Sequence, residues 1–364
     1  MDKIQLEQSA EKVARPDDAM RKAALERWAD QVALPYSTFG RLEQLAAWLC
    51  AVQGACPPKP VERPRVVVFA GDHGIARKGV SAYKPEATAA MLRRMADGGS
   101  PVQSLARVNG ATVRLVDVSV DCDPADLAGL PAEATAARIR RGTGLIDEEP
   151  ACTRDEAAAA FQLGMELADA EIDAGADLLL PAHLGVGHST PAAALVGILA
   201  GSDAASMTGR GSGIDDAAWI RKCAAVRDAM RNARPSITDQ MELMAVCAGP
   251  DFAAHTGFIV QAAARRTPMV IDGLAGAACA LVAQRIAFRT PDWLLAAQTG
   301  TDKAQRKALE RLNLQPLLDF GVRTDDGCGA LLALPLLRSA GAVLAETGTY
   351  AEEGLPAPVL RSKL

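Results

Sequence analysis

The chain is poor in aromatic residues and has no surplus of positive charge. Aromatic side chains make up 4% of its 364 residues, and the formal net charge is -5 at pH 7. Nucleic-acid binding draws on basic patches and on aromatic rings that stack with bases. Because the chain has little of either, we expect no nucleic acid among its partners. We expect a small-molecule ligand.

The sequence also lacks the marks of secretion and of membrane insertion. A membrane-spanning helix needs a predominantly apolar run of about 18 residues or more, and no run in this sequence approaches that length. The opening stretch MDKIQLEQSAEKVARPDD is too charged for a secretory signal. We therefore expect a cytoplasmic protein that makes no contact with a membrane.

Three familiar cofactor signatures are missing. The eight cysteines form no Cys-x-x-Cys pair and mostly lie in apolar surroundings, as reduced and packed thiols do; only Cys152 and Cys328 are predicted in loops. Neither a Walker A sequence nor a complete Gly-x-Gly-x-x-Gly is present, which argues against ATP-driven chemistry and against a dinucleotide fold. We expect no cofactor.

What the sequence does contain is a regular alternation of strands and helices. Residues 66–70 form an unbroken apolar run rich in valine, typical of a central parallel strand covered on both faces. Further strands are predicted at 111–121, 176–180, 267–271 and 292–300, and a short one at 136–144. This order predicts an α/β fold, a doubly wound and mostly parallel sheet of five or six strands.

Helical patterns at both ends of the chain predict a smaller helical domain. Residues 17–54 read as amphipathic helices, with Ser37 as a predicted N-cap, and a long helix begins near Gly329. We expect residues 1–60 to form an N-terminal helical segment, 61–330 the α/β domain, and 331–364 a C-terminal helix and tail. An apolar helical face at 17–54 would need a cover, from the rest of the fold or from a second subunit.

Asp72 and His73 follow the predicted central strand directly. In open α/β sheets, ligands bind at the carboxyl ends of the strands. These two side chains are therefore candidates for ligand contact. The alternative is that Asp72 only caps the next segment and that His73 packs.

Two glycine loops precede predicted helices. One contains Gly185 and Gly187 ahead of Ser189, and the other contains Gly211 and Gly213. Glycine lets an anion approach the main chain, and helix N-termini carry partial positive charge, so a phosphate is the expected occupant. The alternative is that the loops are only tight turns.

Three of the four histidines, His73, His183 and His188, fall in predicted loops after strands. His183 and His188 flank a glycine loop and share no helix face, and no carboxylate stands at zincin spacing, so we expect no metal. A general base or a substrate contact is favoured. Asp325 and Asp326 precede the last helix, where they either favour the helix start electrostatically or face the ligand.

Six motifs stand out along the chain: GDHGIARKGVSAY at 71–83, FGRLEQLA at 39–46, GVGHST at 185–190, GRGSGIDD at 209–216 followed by Lys222, MVIDG at 269–273, and PLLDFGVR…GCGALLALPLL at 316–337. In collinear order, from about residue 30 to about residue 354, they resemble the nicotinate-nucleotide:dimethylbenzimidazole phosphoribosyltransferases. The resemblance implies transfer of the phosphoribosyl group of nicotinate mononucleotide to a benzimidazole nitrogen, for the lower ligand of cobalamin. It also implies a parallel-sheet domain, a small helical domain and a homodimer.

The chain departs from the family pattern at the family's glutamates. The family's general base is the glutamate of Glu-Gly-Thr-Gly, where this chain has Asp326 followed by Gly-Cys-Gly. The aspartate side chain has roughly 1.5 Å less reach than a glutamate, and a 1 Å misplacement of a reacting group lowers the rate about a hundredfold. A second family glutamate is replaced by His183, and a family asparagine by His188. The resemblance therefore implies Asp326 and His183 as the catalytic candidates.

The loops and the resemblance together give the predicted substrate-binding residues. They are Asp72, His73, Ser81, Tyr83, Met91, Gly142, Thr143, Gly185, Gly187, His188, Ser189, Thr190, Gly211, Ser212, Gly213, Asp215, Lys222 and Asp272. Retention of Asp72, Lys222, Asp272 and the glycine loops favours a working transferase. Loss of both glutamates favours the alternative, a divergent member with another acceptor or donor, or a catalytically weak protein that binds a nucleotide or a base.

Overall fold

The computed structural model describes residues 3–31 and 38–356, so the predicted cap Ser37 lies outside the described residues. The strands are β1 (Pro64–Gly71), β2 (Thr112–Ser119), β3 (Leu178–Leu184), β4 (Met269–Ile271) and β5 (Leu294–Ala296). The α-helices are α1 (Lys3–Glu11), α2 (Asp18–Ala29), α3 (Arg41–Gln53), α4 (Ala87–Ala96), α5 (Pro101–Val108), α6 (Ala132–Thr135), α7 (Arg154–Asp173), α8 (Ser189–Ala200), α9 (Ala204–Met207), α10 (Asp216–Ala233), α11 (Gln240–Cys247), α12 (Pro250–Ala264), α13 (Gly273–Ile286), α14 (Lys303–Leu312) and α15 (Cys328–Glu346). Short 3-10 helices span Gly74–Lys78, Pro124–Leu127, Arg234–Ser236 and Thr290–Trp293.

The five described strands form one parallel sheet in the order β2-β1-β3-β4-β5. The predicted α/β class is confirmed. Residues 66–70 of β1 are fully buried, as expected for a central strand with helices on both faces. After β2 the chain returns to the other side of β1, so the order of strand addition reverses between β1 and β3. A crevice at such a switch point, outside the carboxyl ends of the strands, is where open α/β sheets bind ligands.

The short strand predicted at 136–144 is wrong. Among the described residues this segment has no strand, although the Ile139 N–H donates to Val118 O at 2.9 Å, beside the edge strand β2. Its arginines instead reach sideways: Arg138 Nε donates to Asp117 Oδ2 at 2.7 Å and Arg140 Nη1 to Glu156 Oε2 at 2.9 Å. Backbone hydrogen bonds to Val118 and Ser119 and these side-chain ion pairs hold the segment beside the sheet without making it a strand.

The helices of the two chain ends pack together. Arg27 on α2 donates to Glu352 Oε1 at 2.8 Å and to Leu344 O at 2.8 Å, and Gln31 Nε2 donates to Val343 O at 3.2 Å. Helix α3 contacts both α2 and α15, and its apolar residues 45–52 are buried. The apolar face predicted in this region is therefore covered by the chain itself.

Helix α15 corrects the expectation that no apolar segment is long enough to span a membrane. In the described part of the chain it is the one helix that passes that test by length and composition. Arg338 near its middle donates to Val61 O at 2.9 Å and to Asn109 O at 2.8 Å, and the same helix buries Leu331, Leu334 and Leu337. These contacts are typical of a core helix.

The eight cysteines are free thiols, as predicted. Cys152 and Cys328, predicted in loops, are both buried, and Cys328 is the first residue of α15. Burial raises the pKa of the Cys152 thiol to about 12. Neither thiol has the low pKa and exposure of a reactive cysteine.

Candidate functional site

The carboxylate of Asp72 ties together the loops at the switch point. Asp72 is 3% exposed, its Oδ1 accepts from Thr88 Oγ1 at 2.5 Å and from the Val186 N–H at 3.2 Å, and its Oδ2 accepts from the Asp121 N–H at 2.9 Å. Burial raises the pKa of this carboxyl, although the three hydrogen bonds favour its charged form. The position after β1 was predicted, but the role that the contacts give Asp72 is to hold the crevice in shape.

The predicted Gly142 and Thr143 form one wall beside this turn. The Thr143 N–H donates to Asp72 O at 3.0 Å, and Thr143 Oγ1 accepts from the Gly74 N–H at 3.1 Å. Gly142 has a φ of 57°, which glycine adopts without strain. The loop between α6 and α7 is thereby fixed against the loop that follows β1.

Gly185 permits an extremely close approach of two strand ends. A Cβ built on Gly185 would lie 1.7 Å from Gly71 O, so no other residue fits. Gly187 has a φ of 90°, and a Cβ there would lie 3.2 Å from Ala76 Cβ and 3.3 Å from His73 Cβ. The loop after β3 therefore needs glycine at both predicted positions, which places its backbone directly over the end of β1.

The two glycine loops meet at Lys222. Lys222 is 1% exposed, and its Nζ donates to Ser189 Oγ at 2.8 Å and to Gly209 O at 3.1 Å. A Cβ on Gly211 would lie 2.8 Å from Ser189 Oγ and 3.1 Å from Lys222 Nζ. Burial lowers the pKa of Lys222 to about 8, which leaves it mostly charged at neutral pH. A cation at the first turn of α8, beside glycine backbone, can bind a phosphate.

The loop at 81–83 contacts the second glycine loop through Ser212. Ser212 Oγ accepts from the Ala82 N–H at 2.8 Å and lies 3.3 Å from Ser81 Oγ. Tyr83 is 54% exposed. The structure thus brings together two motifs whose serines are 131 residues apart in the sequence.

Three other predicted residues take less direct positions. Asp215 is the N-cap of α10, and its Oδ1 accepts from the Ala218 N–H at 2.8 Å. Thr190 is fully buried in the first turn of α8, and Met91 lies half-buried on α4. A cavity of about 590 Å³ beside Gly209 is lined by none of the predicted site residues.

His188 is paired with Asp325. Its Nε2 lies 2.6 Å from Asp325 Oδ2 and its Nδ1 lies 2.5 Å from Gly185 O. Both ring nitrogens therefore face acceptors, an arrangement that suits the doubly protonated imidazolium. Burial opposes this charge, but the Asp325 carboxylate outweighs it and raises the pKa of His188. The sequence singled out Asp326, whereas its neighbour Asp325 makes this contact.

Asp272 and Asp326 complete the carboxylates near this pair. Asp272 is 2% exposed and accepts from the Gly329 N–H at 2.7 Å and from Gln298 Nε2 at 3.3 Å. Burial, and then the charge of Asp325, raise its pKa to about 7. Asp326 is half-buried, and its Oδ1 accepts from the Cys328 N–H at 3.3 Å. Of the two, only Asp326 is partly open to solvent.

The second catalytic candidate, His183, lies on β3 with a side chain that is 0% exposed. Its Nε2 is 2.9 Å from Asp251 Oδ2, and His73 Nε2 is 3.0 Å from the same oxygen. His183 also packs on His188, with ring centroids 5.3 Å apart, and on His255, with centroids 6.0 Å apart. All four histidines of the chain thus lie in one cluster.

Sequence reasoning missed Asp251 and His255. Both lie on α12, at positions i and i+4, which face the same side of a helix. That spacing was legible in the sequence. What was not legible is that α12 packs over the ends of β1 and β3, because no local pattern specifies which helix covers which strand.

Known proteins share this fold. A family model described as phosphoribosyltransferase matches residues 13–355. The nicotinate-nucleotide–dimethylbenzimidazole phosphoribosyltransferase of Streptomyces avermitilis is 50% identical over 95% of this chain and 92% of its own, and that of Mycobacterium ulcerans is 46% identical over 93% of both. A crystal structure of the Thermus thermophilus enzyme of that name superposes with a TM-score of 0.85 at 34% identity, over 93% of this chain and 99% of that one. The chain therefore belongs to the phosphoribosyltransferase family that includes these enzymes.

Proposed function

We propose that the protein moves the phosphoribosyl group of nicotinate mononucleotide to a ring nitrogen of a benzimidazole-like acceptor and releases nicotinate. The observation that carries this proposal is a single chain of contacts across the switch point. Lys222 and the glycine backbone supply a phosphate site, Ser189 links it to the adjoining His188, and His188 pairs with Asp325, beside Asp326. A phosphate cradle and a carboxylate are thereby within one site.

Departure of nicotinate needs little help from the protein, whereas the acceptor nitrogen needs a base to take its proton. The bond between C1′ and the nicotinate nitrogen of the donor breaks, and its electron pair goes to the positively charged pyridinium ring. The incoming nitrogen forms its bond to C1′, gains positive charge and must release a proton to a base. Such a base has to be reachable by the acceptor. Exposure favours Asp326, which is partly open, over His183, whose side chain is fully buried.

The imidazolium of His188 has a different part in this scheme. With both nitrogens directed at acceptors it holds its protons and is a poor base. Because the Asp325 carboxylate offsets its charge, the positive field at the first turn of α8 comes from Lys222 and from the helix N-terminus. We assign His188 to orienting Asp325.

A direct assay tests the function. The purified chain is incubated with nicotinate mononucleotide and 5,6-dimethylbenzimidazole, and free nicotinate and the ribazole phosphate are followed by chromatography with mass detection. We expect both products in equal amounts. Nicotinate release only with another member of a panel of benzimidazoles, purines and phenols would establish a different acceptor. Donor binding without turnover on any acceptor would favour the weak or inactive binding protein.

We expect Gly187→Val to weaken donor binding by about tenfold or more. Valine at a φ of 90° is strained by about 1–3 kcal/mol, and its Cβ presses on His73 and Ala76, so the loop must move away from the phosphate. Gly201→Ala is the matched control, because Gly201 also has a positive φ, of 65°, but has open space around it at the end of α8. Calorimetric titration with nicotinate mononucleotide measures both. Unchanged affinity in Gly187→Val would show that this loop is only a turn.

We also propose a cytoplasmic homodimer. The apolar face expected at 17–54 gives it little support, because α3 is covered within the chain. The support that remains is the family resemblance and several exposed apolar side chains, among them Phe288 at 74% and Phe320 at 73% exposure. Light scattering is expected to give twice the mass of one 38.0 kDa chain at micromolar concentration. A mass of one chain would remove the proposal.

A further inference from the structure

The cluster beneath the crevice contains side chains of the types that bind metal ions, and the transfer reaction does not require a metal-binding site there. His73, His183 and Asp251 each offer one ligand atom, and these atoms all lie within 4.8 Å of one another. They come from three elements: the turn after β1, strand β3 and the first turn of α12. Each side chain is 0% exposed. Three such groups converging from separate elements in the interior call for a chemical explanation.

Hydrogen bonding explains this convergence only in part. His183 Nε2 lies 2.9 Å from Asp251 Oδ2 but has no properly angled hydrogen-bond partner among the described residues, and Asp251 Oδ1 likewise has none there. Burying a polar atom without a partner is destabilising, and native folds rarely do so. In the described part of the chain, the ion-pair partners of Asp251 are the two histidines.

The distances and ligand types fit a divalent transition metal. Zinc binds imidazole nitrogen and carboxylate oxygen at about 2.0–2.2 Å, so neighbouring ligands of a tetrahedral site lie about 3.3 Å apart. The two Nε2 atoms lie 3.0 and 2.9 Å from Asp251 Oδ2, close to that spacing. Two histidines with one carboxylate are a recurrent ligand set for zinc and for ferrous iron.

We propose that His73, His183 and Asp251 form a buried site for one divalent transition-metal ion, with zinc as the best fit. None of its ligands is exposed, so the ion would hold the fold together, with the fourth position of a tetrahedral site left to a water or another group. It ties the end of β1 to β3 and α12. His73 also donates its backbone N–H to Val186 O at 3.2 Å, so a fixed His73 steadies the glycine loop above it. This site revises the expectation, drawn from the sequence, that the chain holds no metal.

Metal content is the first test. Untagged full-length protein, to avoid the metal affinity of a histidine tag, is incubated with zinc chloride, desalted and analysed for first-row metals by mass spectrometry. We expect about one ion per chain. Fewer than about 0.1 ion of any divalent transition metal per chain in the parent protein would overturn the proposal, whatever the variants do.

Matched variants locate the site. His183→Gln and Asp251→Asn are expected to lose the ion, whereas His255→Gln, which removes a buried imidazole outside the three convergent ligands, is expected to keep it. A second measurement does not need the variants to fold. Stripping the parent protein with dipicolinate and returning zinc to a hundredfold excess over Kd should raise Tm by about 4 °C. Equal metal content in all three variants, or a Tm indifferent to zinc, would count against the site.

Discussion

Asp326→Asn is expected to lower kcat about a hundredfold or more while leaving the KM for nicotinate mononucleotide nearly unchanged. The amide keeps the shape of the side chain and its contact with the Cys328 N–H but cannot take a proton from the acceptor. Losing a positioned general base typically costs between about a hundredfold and ten-thousandfold. Steady-state kinetics with varied donor, at saturating acceptor, separate the two parameters.

Asp326→Glu is the informative control for that variant. It restores the residue that the resembled family carries and keeps a proton acceptor, but it adds about 1.5 Å of reach, so it should lose less turnover than Asp326→Asn. The variant His183→Gln tests the alternative, because His183 was the other candidate for the catalytic base. Turnover that is preserved in Asp326→Asn and in the parent protein stripped of metal, but lost in a folded His183→Gln protein, would transfer the role to the histidine.

The parts of this fold that the sequence predicted are those with local signatures. The valine run of β1 needs no partner to be recognised, since only a strand buried on both faces is so uniformly apolar. The Thr153-x-x-Glu156 spacing is a local signature of a capping box, and the structure has both reciprocal contacts at the start of α7. Gly185 and Gly187 were identified because glycine before a helix signals close backbone approach, and the 1.7 Å clash of a Cβ at Gly185 shows how close.

The parts that escaped prediction depend on contacts between distant segments. The segment 136–144 has residues typical of a strand, but its arginines form ion pairs with Asp117 and Glu156. A local sequence pattern does not indicate these partners. Asp325 and Asp326 are adjacent aspartates that the sequence alone does not distinguish. Only the fold shows that Asp325 pairs with His188. Likewise, no spacing rule indicates that Asp251 lies between His73 and His183, because the three are 68 to 178 residues apart.

Asp272→Asn is expected to make the protein more stable at pH 8. The folded-state pKa of Asp272 is about 7, raised by burial and by the charge of Asp325, whereas an unfolded chain has an aspartate pKa of about 3.9. Between these values the folded state binds a proton that the unfolded state has released. Stability therefore falls as pH rises from about 4 to 7, and above pH 7 the full penalty is present.

The asparagine removes this penalty because it is neutral at every pH and can still accept from the Gly329 N–H. At about 1.4 kcal/mol per pKa unit, the free energy of unfolding at pH 8 should rise by up to about 4 kcal/mol, and the gain should vanish near pH 4. Urea denaturation across that range measures it, with exposed Asp319→Asn as the control that should show no such gain. A variant less stable than the parent at pH 8 would mean that the charged carboxylate is stabilising. In that case Asp272 would be a structural anchor for the Gly329 N–H at the start of α15.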